Sequence, residues 1–566
     1  MKTYAQTHLA EIAALTEMDR VPLSGLMDWI FLPGKPRRDW LENIPSDGIP
    51  FHLDACKNLD ELSPQYREPN RAEGVLYSTM AAPRDGIALI GIGADWWFEA
   101  YCNGELVGDT FQTGNEFPLI MPDNHRLFCP VRKGENSLAV HVKRGVASWN
   151  FSCAHWIPFQ LPPLPMLETG PWLSNPDSEG RITVNFTTRG EIGAGLQLED
   201  GTVVWHQRQG QILRREFHSI PLQNLPRGRK LEYRIVAISP GSYEKTVISP
   251  KYSFQIPDED SSRFSLFLTA DLQFGLDTQQ EYLSRMLQAA DAATCDLFVF
   301  NGDINSSFLP KEVVNGPLKL LQNYHAESRP VLYVRGNHEL RGPFADRFLD
   351  YFAFGNGCSY DLLRYGDTAF LLLDAWEDKP AETPGHPYCK WNLDRHFLQQ
   401  EKKWLAEAVR QEKWLSARRR VVICHGAPYS HFDPFGTMCP NLKEMTDEFF
   451  AGENPPAPLL CWFAGHIHAF LRSVPMSGEL VAGEPPRKPF LDASKCPYPV
   501  FTVSGPNSFS QVQASCFRVD FRENATLVQS WDQNGKPIEK ILLSPDGQVT
   551  ELLSLNHYDC SHERQD

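Results

Sequence analysis

Apolar and polar positions change their rhythm along the 566-residue chain. Up to about residue 165, short apolar runs are separated by turn residues. Ile87-Ala88-Leu89-Ile90-Gly91-Ile92 and Trp97-Phe98-Glu99-Ala100-Tyr101-Cys102 read as strands. Asn103-Gly104 after the second is a hairpin turn signal, because both residues accept positive φ. Gly134-Glu135-Asn136 then leads into the alternating Ser137-Leu138-Ala139-Val140-His141-Val142. Short strands joined by turns predict an antiparallel sandwich. A Pro-rich stretch, Leu161-Pro162-Pro163-Leu164-Pro165, marks the next boundary. Strands are predicted again at 182–187 and 195–198, and at 231–236 after a Leu-Pro-Arg-Gly turn.

From about residue 262, strand-like runs alternate with helical ones. Phe264 to Thr269, Leu297 to Phe300, Val331 to Val334, Arg420 to Cys424 and Leu459 to Phe463 read as buried strands, and Phe370 to Leu373 is an apolar run. Gln279 to Ala293 is predicted helical, with Tyr282, Leu283, Met286, Leu287 and Ala290 on one face, and Gln399 to Glu412 is a second helix. Further strands are expected near 500–502, 516–520 and 526–531. No internal repeat is present.

Five of these strands end in polar segments. They are Asp271-Leu272-Gln273, Gly302-Asp303, Gly336-Asn337-His338-Glu339, the lone His425, and Gly465-His466-Ile467-His468. The carboxyl ends of strands are where α/β sheets place their ligands. Burying so many polar groups costs several kcal/mol unless partners satisfy them. A pair of divalent cations is a partner that satisfies them all. One GNHE string is weak evidence; the ordered combination is far more specific.

Composition narrows the choice. With 42% hydrophobic and 22% charged residues the chain is that of a globular protein of about three to four domains. A net charge of -16 without a Lys/Arg block argues against nucleic acid and anionic membranes as partners. No apolar stretch is long enough to span a bilayer. Glu11, Glu17 and Asp19 stand where a signal peptide would be apolar, so a cytoplasmic location is expected. The 13 cysteines form no CxxC pair. Cys424, beside His425 in an apolar run, reads as an inert core thiol.

The ordered set resembles the calcineurin-like metallophosphoesterase superfamily, whose pattern reads D-x-H/Q/G, GD, GNH-D/E, a lone H, then GHxH. The resemblance covers about residues 262 to 475. It implies a dinuclear phosphoester hydrolase in which a metal-bridging hydroxide attacks phosphorus in line. One metal would be held by Asp271, Gln273, Asp303 and His468, the other by Asp303, Asn337, His425 and His466. Asp303 would bridge. His338 would serve as general acid or electrostatic clamp. Gln273 stands where many members have His, and a carboxamide favours Mn²⁺ or Mg²⁺, with Fe²⁺ and Zn²⁺ as the alternatives. Purple acid phosphatases place a ferric-ligating Tyr three residues after the GD aspartate. Here that position is Ser306, so a colourless protein is expected.

Two further resemblances concern the segments before it. The phrase WWFEAYCNGELVG … VRKGENSLAVHV is similar to jelly-roll domains found beside glycosidase catalytic domains, often called galactose-binding-like; it implies a glycan partner or a packing role, and packing is preferred. LPRGRKLEYRIVA looks like a fibronectin type III-like strand, and purple acid phosphatases carry such a domain in this place. The expected fold is therefore multidomain: two all-β sandwich domains (1–165 jelly-roll, 166–258 fibronectin type III-like), then a four-layer α/β-sandwich metallophosphoesterase domain with C-terminal strands (259–566).

Arg341, His386 and His431 are candidate substrate-binding residues, with an ion-paired or surface role as the plainer reading of each. Tyr388 shares the Pro/Gly-rich loop of His386, Asp374 reads either as a support behind the metal ligands or as structural, and Glu377-Asp378-Lys379 as a solvated turn. The expected partner is a small phosphorylated substrate. The contrasting reading is a catalytically inactive glycan- or protein-binding scaffold with a vestigial metal site.

Overall fold

The alternating run at 137–142 is the middle of a longer strand, Gly134–Arg144, which pairs with Glu73–Ala82 on one side and Trp96–Cys102 on the other. The computed structural model describes residues 2–16, 19–42, 46–64, 72–111, 114, 120–145, 148–155, 165–238, 245–273, 277–377, 394–428, 430–432, 438–451, 455, 457–483, 489–491, 496–505 and 511–559. The Asn103-Gly104 turn joins Trp96–Cys102 to Glu105–Asp109, with φ of 51° and 81° at its two residues. A six-stranded sheet contains these elements, and a four-stranded sheet contains Gly86–Ala94, His125–Val131 and Asn150–Ala154. Side chains from both, among them Trp29, Phe31, Ile90, Phe98 and Phe151, form one hydrophobic core.

The strands predicted at 182–187 and 195–198 are a single strand, Arg181–Leu198. Its pairing with Arg214–Leu222 slips between Thr187 and Ile192, around Gly190 at φ 83°. The Thr-Arg-Gly-Glu stretch between the two predicted strands is thus absorbed as a bulge. The neighbouring strand Leu167–Asp177 faces the C-terminal part of the chain. Leu173 N–H donates to Ala326 O at 2.9 Å, and Asn175 Nδ2 donates to Ala353 O at 3.0 Å. Trp172 packs among Phe298, Val331 and Tyr333 of that part.

Two larger sheets follow. Phe264–Thr269, Leu297–Asn301 and Val331–Val334 run parallel in a seven-stranded sheet, which continues through Ser515–Arg522 and Ala525–Asp532. Thr368–Leu373, Arg419–Cys424, Cys461–Ala464 and Val500–Thr502 run parallel in an eight-stranded sheet. One core lies between them, with Leu268, Val299, Phe370, Ile423 and Phe463. Strand periodicity sends Phe267 and Phe300 to the other face, where they meet Leu283, Met286 and Leu287 of the helix Asp277–Ala289. Leu371, Val422 and Trp462 similarly pack with Leu405 of the helix Asp394–Ala408.

Both helices differ from their predicted limits. The first ends at Ala289, and the chain leaves it through Asp291 in the left-handed region at φ 49°. The second spans Asp394–Ala408, and Glu412–Leu415 forms a separate turn. Among the described residues, no helix is long and apolar enough to cross a membrane.

Asp361 opens the strand Asp361–Tyr365. Burial pushes its carboxyl up to about 6 from an ordinary 3.8, against the opposing pull of Lys413 and Arg181. The folded chain therefore holds this proton more tightly than the unfolded one. The group's contribution to stability is full below about pH 4 and lost as pH rises towards 6. In urea titrations the wild type should lose up to about 1.4 kcal/mol per pH unit over that window relative to Asp361→Asn.

Candidate metal centre

Each polar segment singled out in the sequence follows a parallel strand, and the two sheets bring these strand ends together. Asp271 follows Phe264–Thr269, Asp303 follows Leu297–Asn301, and Asn337 follows Val331–Val334. His425 follows Arg419–Cys424, and the His466/His468 pair follows Cys461–Ala464. Two groups of ligand atoms result, each with all members within 4.8 Å of one another: Asp303, His425 and His466, and Asp271, Asp303 and His468. Asp303 belongs to both.

The backbone bends sharply to make this convergence. Asp271, Gln273, Asp303, His466 and His468 all have left-handed φ, between 45° and 69°. Residues other than glycine adopt this region rarely and at a cost, and such residues cluster at functional sites. Two of the motif glycines make room for carboxylates. A Cβ at Gly336 would collide with the Asp303 carboxylate, and one at Gly465 with that of Asp271.

Hydrogen bonds fix which atoms face inward. His425 Nδ1 lies 2.7 Å from the Asn301 carbonyl, which can only accept. The ring therefore carries a hydrogen on Nδ1 and turns Nε2 inward, 3.2 Å from Asp303 Oδ2 and 3.7 Å from Asp271 Oδ1. His468 Nε2 is 3.3 Å from Asp271 Oδ1 and 3.3 Å from Gln273 Nε2. The His466 amide donates to Asp271 Oδ2 at 2.9 Å. The same Asn337 atom positions admit either assignment of its amide oxygen and nitrogen. With its nitrogen inward it donates to Asp303 Oδ2 at 3.2 Å and His466 Nδ1 at 3.1 Å, while its oxygen accepts from Arg341 Nη2 at 2.8 Å. With its oxygen inward, 3.1 Å from His466 Nδ1, it joins other acceptors, an arrangement that a cation satisfies.

The electrostatics point the same way. Burial alone would raise the Asp303 pKa, but the charge of His425 and the His338 backbone N–H pull the other way, and the carboxyl is held far below its usual range. Burial would lower that of His425, yet Asp303 and Asp271 push it up to about 10. The carboxylates demand positive charge at their centre. Donor type, spacing and charge thus fit two divalent cations sharing Asp303.

Three residues that support the centre escaped the sequence reading. Glu339 is buried and accepts from Asp303 N at 2.9 Å, Ile304 N at 3.0 Å, Gly336 N at 2.8 Å and Tyr333 Oη at 2.7 Å. It ties two motif loops together. Asn301 Nδ2 donates to the carbonyls of Cys424 at 3.0 Å and Phe463 at 3.2 Å, joining strands of the two sheets. Glu377 is no solvated turn residue: it is buried and receives Arg341 at 3.0 and 2.7 Å. A Glu within the GNHE string was a visible signal for Glu339; nothing local distinguishes Asn301 or Glu377.

The other candidates fall differently. His338 is 22% exposed at the edge of the cluster, and Arg341 lies beside it, buried and ion-paired. Asp374 is buried and bonded to Arg335 at 2.6 Å and Ser359 at 2.5 Å. His431 sits on the strand Ser430–Phe432, paired with Pro489–Leu491. His386 and Tyr388 lie outside the described residues.

Glu339→Ala would strand three buried N–H groups. Such groups cost about 1–3 kcal/mol each, so a loss of about 3 kcal/mol or more is expected, read from the denaturant midpoint, with Glu339→Gln less affected.

Residues 264–470 match the model of the calcineurin-like phosphoesterase family. No curated protein sequence matches the chain. Among solved structures, purple acid phosphatase PPD1 from yellow lupin (Lupinus luteus) seeds is similar at 13% identity, covering 83% of this chain and 93% of that one, with a TM-score of 0.42. A dimetal phosphatase from Danio rerio is 14% identical, covering 50% of this chain and 98% of that one, at 0.34. A GH2 β-galacturonidase from Eisenbergiella tayi is 9% identical, covering 79% and 81%, at 0.22. The matched stretch contains every residue of the two acceptor groups, and the domain at residues 264–470 belongs to the calcineurin-like phosphoesterase family.

Proposed function

We propose that the chain hydrolyses small phosphoesters with two divalent cations. Asp271, Gln273, Asp303 and His468 would hold one, and Asp303, Asn337, His425 and His466 the other. The observation that carries this reading is the pair of acceptor groups sharing Asp303. Bound there, the cations supply Lewis-acid charge and acidify a water that attacks phosphorus.

The chain's own groups do the rest. Asp271 and Asp303 bring two negative charges against four positive ones, so the pocket still attracts a phosphate anion. Asn301 and Glu339 hold His425 and the Asp303 loop in place, so the centre needs no rearrangement when substrate arrives. His338 Nδ1 is 2.7 Å from the Ser306 carbonyl, and Arg341 Nη1, which can only donate, is 2.9 Å from Nε2. In this arrangement Nε2 has no hydrogen to give. That speaks against proton donation by His338 in this arrangement and leaves Arg341 as the group that presents positive charge there.

The finer architecture belongs to the same proposal: a jelly-roll-like domain at 1–165, a fibronectin type III-like domain at 166–258 and a four-layer domain at 259–566. Cores shared between paired sheets, and helices packed on the outer faces of the last two, support it. The first domain is proposed to pack rather than to bind glycan.

Four outcomes test the proposal. Chelated protein dialysed against Mn²⁺ should take up two ions per chain by elemental analysis, and Asp303→Asn should lose at least one. A screen of phosphate mono- and diesters should find turnover that falls about 10³-fold in Asp303→Asn. Metal uptake without turnover on any ester would favour the scaffold reading, and no uptake at all would remove the metal site. Mn²⁺ should restore more activity than Zn²⁺ because Gln273 replaces an imidazole. With Ser306 after the GD motif, iron-loaded protein should show no tyrosinate charge-transfer band.

A further inference from the structure

The loop carrying Asn337 and His338 is gripped on both sides by one short segment. Before it, Arg335 donates from Nε to Asp374 Oδ2 at 2.6 Å, and its guanidinium lies 4.7 Å from the Trp376 ring centroid. After it, Arg341 meets Glu377 in a two-pronged pair, Nε to Oε2 at 3.0 Å and Nη2 to Oε1 at 2.7 Å. Both acids are buried. Between them, Trp376 takes a left-handed φ of 62° and stacks on Phe397 at 3.9 Å. That bend lets Asp374 and Glu377, only three residues apart, reach arginines six residues apart.

Arg341 closes the short 3₁₀ turn His338–Leu340, and residues three apart in such a turn lie over one another. Its remaining prong, Nη1, donates to His338 Nε2 at 2.9 Å. The other ring nitrogen donates to Ser306 O at 2.7 Å. Both nitrogens of His338 are thereby assigned by their partners: hydrogen on Nδ1, lone pair on Nε2. The Ser306 contact uses backbone and leaves the ring free to pivot about one bond. Arg341 removes that freedom, and Glu377 removes Arg341's.

We propose that Glu377 is a positioning residue for the hydrolysis proposed above: through Arg341 it fixes the orientation and tautomer of His338. Its contacts described above are with Arg341. The inference rests on the phosphoesterase reading for its catalytic consequence but not for its structural one. An arginine fork bound on two edges by a carboxylate is aimed in a way that a lysine cannot copy.

The test therefore has an arm that needs no activity. In metal-free protein labelled with ¹⁵N-histidine, at a pH where the ring is neutral, the His338 signal, assigned by its loss in His338→Gln, should report the tautomer with hydrogen on Nδ1. In Glu377→Gln and in Arg341→Lys it should move to a mixture of tautomers while the other histidine signals stay. An unchanged His338 signal in both variants would overturn the proposal, whatever the enzyme does. In metal-loaded protein, Glu377→Gln should lower kcat about 10²-fold on the ester found by the screen, with KM and metal content held. In a His338→Ala background the same substitution should have no further effect. A full additional loss there would show Glu377 acting independently of His338 and would overturn the positioning role. If the wild type turns over no ester, the phosphoesterase reading fails alone, and the spectroscopic arm still decides the positioning claim. Arg341→Lys, which keeps the charge and a long side chain, decides the same point should Glu377→Gln not fold.

Discussion

A crowding of carboxylates and imidazoles is the constraint on which the C-terminal half is built. Asp271, Asp303, His425, His466 and His468 bring carboxylate oxygens and imidazole nitrogens to within 4.8 Å in two overlapping groups. Such a convergence is unfavourable in a low-dielectric interior unless positive charge sits inside it. The strained φ values at five loop residues, the room left by Gly336 and Gly465, and the upward pull on His425 are all consequences of holding like-natured groups together. The sheets supply the rigidity, since each group leaves the end of a strand buried on both faces.

The fold was legible where burial dictates pattern. Phe264–Thr269, Val331–Val334 and Val500–Thr502 are mostly apolar and wholly buried runs, and their limits agree with the structure to the residue. Helix ends were less legible because they are decided by one residue's backbone, as at Asp291, and not by the apolar stripe. The strand Arg181–Leu198 was split because Thr-Arg-Gly-Glu has turn composition, while the pairing partners on both sides carry the strand through it.

The candidate site divides along similar lines. Groups that would touch a cation sit in short ordered motifs, so type and spacing announce them. Groups that hold those motifs in place are scattered: Asn301 acts between two sheets and Glu377 reaches across from another strand end. Their roles depend on long-range packing, which no local window contains. Glu377 in particular follows an apolar strand and precedes Asp-Lys, a context that composition assigns to water.

The docking of Leu167–Asp177 has a consequence for how this protein can be divided. Trp172 fills part of the core beneath the helices of the last domain, and Leu173 and Asn175 satisfy its backbone groups at Ala326 and Ala353. A fragment cut at residue 259 would leave an apolar socket open and carbonyls bare. The strand Leu167–Asp177 thus belongs to the packing of the sheets that carry the metal centre, and a cut that spares it keeps those contacts whole.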